Sequence, residues 1–102
     1  MKLAPPELAK RLASLPLWTH KPERGGTLSR TFLFQDFAQA FGFMAQVAVQ
    51  AERRNHHPEW SNVYNRVEVT LTTHDVDGLS MNDIEMARLM DAIAAALATQ
   101  AH

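Results

Sequence analysis

Residues 67–71, Val-Glu-Val-Thr-Leu, alternate apolar and polar without a break. A strand turns successive side chains to opposite faces, so Val67, Val69 and Leu71 point one way and Glu68, Thr70, Thr72 and His74 the other. Such a strand buries one face only. Its sheet needs a cover on one side and tolerates water on the other, which suits an antiparallel sheet. The pattern recurs upstream, where Leu28, Arg30, Phe32 and Phe34 oppose Ser29, Thr31 and Leu33. Leu17-Trp18-Thr19-His20 reads as a brief strand, and Lys21 to Gly26 is turn chemistry, so these two pair as a hairpin. Tyr64-Asn65-Arg66 supplies a tight turn for a second hairpin within Asn62 to Thr73.

The cover comes from segments of a different period. Pro5 and Pro6 suit a helix's first turn, and Leu8, Leu12 and Leu15 form a short stripe ending at Pro16. From Asp36 to about Arg54, Phe37, Phe41, Met44, Ala48 and Ala51 follow helical steps, widened by a second line of Ala40, Phe43 and Val47. Two packings are open for so apolar a helix: wholly inside its own domain, or partly against another subunit. Ser80 and Asp83 resemble a capping box before a last helix carrying Met86, Leu89, Met90, Ile93, Ala96 and Leu97 on one face. The order is helix, two strands, helix, two strands, helix. The fold predicted is α+β, a four-stranded antiparallel sheet with three helices on one face, as a single domain over 1–102.

Composition narrows the function. A net charge of -1 argues against broad phosphate neutralisation, hence against a nucleic-acid binder of that kind. The absence of cysteine removes disulfides, thiolate zinc sites and cysteine nucleophiles, and fits a reducing cytoplasm. MKLAPPELAKRLASL reads as neither signal peptide nor membrane span. The expectation is a soluble cytoplasmic domain.

The chain has five histidines, and two stand together in Asn55-His56-His57-Pro58-Glu59-Trp60. Neighbouring side chains diverge on any regular element. Pro58 forbids continuation of the helix, so the pair sits in a helix-to-strand connection where both can line one cavity. His74, at the end of a strand, adds a third before Asp75-Val76-Asp77-Gly78. Imidazole suits proton donation and acceptance near neutrality. Each residue also has a plainer reading. His56 or His57 taken singly can simply bond terminal helix carbonyls, His74 can be a surface residue, and Trp60 fits a core or interface as well as a ligand platform. His20 and His102 read as structural or solvated. Three histidines would suffice for zinc with an open position, but no His-x-x-x-His spacing accompanies them. No serine sits in an elbow context, and Gly25-Gly26 is a turn rather than a phosphate loop.

Ala51-Glu52, then Asn55 to Trp60, followed by Asn62-Val63-Tyr64-Asn65, Thr72-Thr73-His74 and Gly78-Leu79-Ser80 with Asp83, resembles the pterin-4a-carbinolamine dehydratases. Phe32 to Phe37 and Ala40 to Met44 also look like that family, so the likeness runs from about Trp18 to the C-terminus. The resemblance implies a hydro-lyase that converts 4a-hydroxytetrahydropterins to quinonoid dihydropterin, recycling the pterin after an aromatic amino-acid hydroxylase has used it. It implies no metal and no organic cofactor, a pterin substrate, and a dimer or tetramer built through the long helix and a sheet edge. By analogy His56 and His74 carry the proton transfers, and His57 chiefly positions substrate. Asn55, Thr72, Thr73 and Asp75 contact the bound ring and Trp60 walls the pocket. Glu52 and Asp83 orient histidines or substrate from behind. The chain departs from the animal enzymes at Asn55, where they carry an acid, and at Asn82, where they carry a base. Two rival readings go with the resemblance: a coactivator that steadies the dimerisation domain of a homeodomain transcription factor, and a pterin-binding protein without turnover, linked to molybdopterin metabolism.

Overall fold

The computed structural model describes residues 1–99, so the reading of His102 lies outside the described residues. The elements are α1 (Pro5–Leu12), β1 (Thr19–Lys21), a 3-10 turn (Glu23–Gly25), β2 (Thr27–Leu33), α2 (Phe37–Arg54), β3 (Glu59–Val63), β4 (Arg66–Leu71), a second 3-10 turn (His74–Val76) and α3 (Met81–Thr99). The four strands form one antiparallel sheet in the order β1-β2-β4-β3. The α+β order read from the sequence is the order observed.

Register explains the two-faced sheet. Phe32 pairs with Val67, Leu28 with Leu71, and Trp60 with Val69, so one face collects the apolar side chains. Leu8 and Leu12 of α1, Phe43 and Val47 of α2, and Met86 and Met90 of α3 join that core. The opposite face, with Thr31, Ser61 and Glu68, is open. Arg30 is the charged residue on the inner row. Its guanidinium lies over the Phe32 ring and donates to Asp91 at 2.5 Å, and Trp18 Nε1 donates to the same carboxylate oxygen at 2.9 Å.

Three local differences from the sequence reading have physical causes. In α2 the line facing the sheet is Ala40, Phe43, Val47 and Ala51, because Phe43 fits against Phe32 and Phe34 with ring centroids 4.7 and 4.9 Å apart. Phe37 and Phe41 are left 49% and 57% exposed. Strand β3 begins at Glu59, inside the histidine motif, rather than at Asn62. Leu15 is buried beyond the end of α1, in the turn towards β1. No helix among the described residues is long and apolar enough to cross a membrane.

The two glycines of the β1–β2 turn do more than permit a bend. Gly25 has φ +80°, and a Cβ there would lie 1.8 Å from the carbonyl oxygen of Asp77. The turn is thus pressed, backbone to backbone, onto the segment that follows β4. Gly25→Ala is expected to cost more than the about 1–2 kcal/mol of the left-handed conformation alone, since the contact must also open. Urea unfolding checks this, and a variant as stable as wild type would refute the contact.

Candidate active site

The connection after α2 is shaped by Asn55, not by Pro58. Asn55 adopts φ 51°, ψ 43°, and its N–H donates to the Glu52 carbonyl while the His56 N–H donates to the Ala51 carbonyl. This is a Schellman ending, which asparagine tolerates better than most non-glycine residues. It turns the chain sharply before Pro58 and sends the two histidines in different directions. His56 goes inward and is buried; His57 stays outside.

Behind His56 lies Asp83, which is 0% exposed. Its Oδ1 is 2.7 Å from His56 Nε2, while Oδ2 accepts from the Thr73 hydroxyl at 2.7 Å and from the Ser80 N–H at 2.9 Å. The Ser80 hydroxyl in turn accepts from the Asn82 N–H at 3.3 Å. Of the expected capping box the bond from the Ser80 N–H to the acid is present, the Ser80 hydroxyl serving Asn82 rather than Asp83, and the acid also holds a histidine. A carboxylate on Nε2 fixes the proton there and leaves Nδ1 as the ring's other polar atom. His57 is held similarly, with Nε2 2.8 Å from Glu52 Oε1, but in solvent.

Beyond β4 the chain continues through Thr72 and Thr73 into the short turn that carries His74. The Thr73 N–H donates to the Gly78 carbonyl, closing the loop on itself. Thr72 donates its hydroxyl to the Gly26 carbonyl at 2.8 Å, tying this segment to the β1–β2 turn. Residues 55–59 and 72–75 line one cavity of about 330 Å³. It brings together His56, His57, His74, Asn55, Thr72, Thr73 and Asp75. Trp60 is not among its lining residues: Glu59 points to the cavity, so strand alternation sends Trp60 to the core side opposite Val69. A larger recess, about 540 Å³, lies beside Arg30 and Asp91 and contains no histidine. Among the described residues no three histidine or carboxylate side chains converge as a metal-ligand set.

Sequence reasoning missed Arg24 and the role of Glu59. Arg24 Nη1 and Nη2 each lie 2.9 Å from one oxygen of Glu59, and Glu59 Oε2 is 3.6 Å from His74 Nε2. The signal for Glu59 was its place within the motif; Arg24 gave none. The hydrogen bond from Arg24 holds the Glu59 carboxyl below the ordinary glutamate value of 4.5, against a smaller opposing effect of burial and with help from the charges of Arg24 and His74. A depressed carboxylate contributes stability above its unfolded value and loses it as pH falls through the folded one. The Tm of wild type is therefore expected to exceed that of Glu59→Gln slightly at neutral pH, the pair being largely solvent-screened. The gap closes as pH falls below 4.5. Thermal melts across that range check it; a gap that widens on acidification would contradict the pairing.

Comparison with known proteins gives the family. The profile of the family described as Pterin 4 alpha carbinolamine dehydratase matches residues 1–93. A Burkholderia cenocepacia protein named "Putative pterin-4-alpha-carbinolamine dehydratase" is 54% identical over 94 residues, covering 92% of this chain and 91% of its own. A Novosphingobium aromaticivorans protein of the same name is 62% identical over 80 residues, covering 78% and 82%. The crystal structure of a transcriptional coactivator/pterin dehydratase from Brucella melitensis superposes with a TM-score of 0.86 at 49% identity, over 92% of this chain and 99% of that one. The chain belongs to the pterin-4a-carbinolamine dehydratase family.

Proposed function

We propose that the protein dehydrates 4a-hydroxytetrahydropterins to quinonoid dihydropterins by histidine acid/base catalysis. The observation that carries this reading is one cavity holding three histidines, each with a carboxylate beside it. The hydroxyl on the tetrahedral ring carbon leaves as water only if it gains a proton. A ring nitrogen must lose one, and its electrons then form the double bond that expels the oxygen. One proton in and one out balance the step, and no oxidant is needed. His56 and His74 serve these transfers, and His57 chiefly positions the ring. Asp83 would steady the imidazolium that His56 becomes when it takes a proton. Asn55, Thr72, Thr73 and Asp75 are offered as ring contacts. The substrate source consistent with this chemistry is an aromatic amino-acid hydroxylase in the cytoplasm.

Stopped-flow absorbance of a 4a-hydroxytetrahydropterin, with and without the protein, tests the reading. Faster decay at substoichiometric protein supports it. Binding without acceleration would leave a pterin-binding protein instead.

The half-exposed Phe37 and Phe41 rings, 5.9 Å apart on α2, favour a homo-oligomer through that helix. The Brucella protein's description as a coactivator keeps a second use of the same surface in view. Phe41→Glu is expected to lower the mass measured by light scattering to that of a smaller assembly. An unchanged mass would remove Phe41 from the interface.

A further inference from the structure

We propose that Arg24 is a positioning residue of this site, acting on His74 through Glu59; the proposal rests on the dehydratase reading. His74 is the least supported of the three histidines. Its side chain is 76% exposed, and it stands between the cavity described above and a second hollow of about 280 Å³ lined by Arg24, Thr72, Thr73, His74 and Asp77. No packed wall selects one rotamer for it, and Glu59 Oε2 is the charged atom that faces its Nε2. Glu59 lies on the edge strand β3 and is itself half-exposed, so alone it would be as free as the ring.

Arg24 removes that freedom. Its planar guanidinium grips both oxygens of Glu59, a two-point contact that fixes the direction of the carboxylate as well as its place. The arginine is in turn fixed to the loop that bears His74. Arg24 holds φ 54°, and Gly25 lies against the Asp77 carbonyl. A Cβ on Gly78 would meet the Gly25 carbonyl at 2.7 Å, and Thr72 bonds the Gly26 carbonyl. One turn therefore carries the clamp and rests on the segments either side of the histidine, at Thr72 before it and at Asp77 and Gly78 after it. As an exposed ion pair it adds little stability. Its effect is on the histidine: an oriented carboxylate at Nε2 favours the proton there and keeps Nδ1 as the acceptor.

Arg24→Ala, Glu59→Gln, the double variant and Arg24→Lys test this in the full chain. Either single substitution is expected to lower kcat about 10- to 100-fold with KM little changed, the scale of a misplaced catalytic group. The double variant should be no slower than the slower single one, because the two act as one unit. Arg24→Lys should restore part of the rate, as it keeps the charge but not the fork. Nitrogen-resolved NMR of the His74 imidazole should shift in both single variants. Multiplicative losses, or an unmoved His74 signal in Arg24→Ala, would overturn the proposal. A wild type that does not accelerate dehydration would sink the functional reading instead, and the imidazole signals would then decide the positioning on their own.

Discussion

His74→Ala is expected to fold normally and to dehydrate 4a-hydroxytetrahydropterin about 100- to 10,000-fold more slowly. The fold survives because the side chain is mostly in water and fills no cavity. Substitutions at such sites are usually within about 0.5 kcal/mol of neutral. The rate does not survive, because the cavity then retains one buried imidazole and one at its rim, and a single group must both accept and donate. Stopped-flow kcat together with the Tm from circular dichroism separates the two effects. Full activity in His74→Ala would end its assignment to proton transfer. His56→Ala is a less clean test, since it also strands Asp83 Oδ1 in the core. Loss of rate there must be read against loss of stability.

Asp83→Ala is expected to be the most destabilising single change at the site. Three bonds end on this fully buried carboxylate, from His56, Thr73 and the Ser80 N–H. Removing the acceptor leaves the buried donors around it unpaired at about 1–3 kcal/mol each, a large part of the about 5–15 kcal/mol that holds a domain folded. For a chain of this size that lowers the Tm by about 10 °C or more. Asp83→Asn separates structure from chemistry. Its carbonyl can still accept from Thr73 and Ser80, but its amide then faces His56 Nε2 and drives the proton to Nδ1. That variant should melt close to wild type and lose at least about 100-fold in kcat. A stable, fully active Asp83→Asn would show that the carboxylate does not set the state of His56.

Patterns with a short repeat were legible in the sequence; contacts across long separations were not. Alternation at Val67 to Leu71 gave the sheet and its buried face, and Ser80 with Asp83 gave the start of α3. The face of α2 was harder. Both apolar lines follow helical steps equally well, and the choice was made by Phe32 and Phe34, which are on another element. Asn55 looked like a weakened acid because nothing local announces a left-handed backbone. Its conformation supplies a reason for asparagine that no catalytic argument would find. Thr72 and Thr73 line the cavity, but no local pattern announced that their hydroxyls are also bonded to Gly26 and Asp83. The resemblance alone made Trp60 a pocket wall, whereas alternation along β3 puts it on the core side, as the plainer reading of the residue had it. Arg24 lies 35 residues from its partner Glu59, in a turn whose glycines signal a bend but not what the bend rests on.

The carboxylate of Asp83 belongs at once to the first turn of α3 and to His56. Fraying at that helix end and disengagement of the buried histidine are consequently one event. The Ser80 amide, whose hydrogen is bonded to Asp83, becomes a reporter of the site. Its exchange with deuterated solvent should slow when a ligand presses on His56, although the amide itself faces Asp83 and not the cavity. Stabilising the start of this helix would then slow the opening of the site as well.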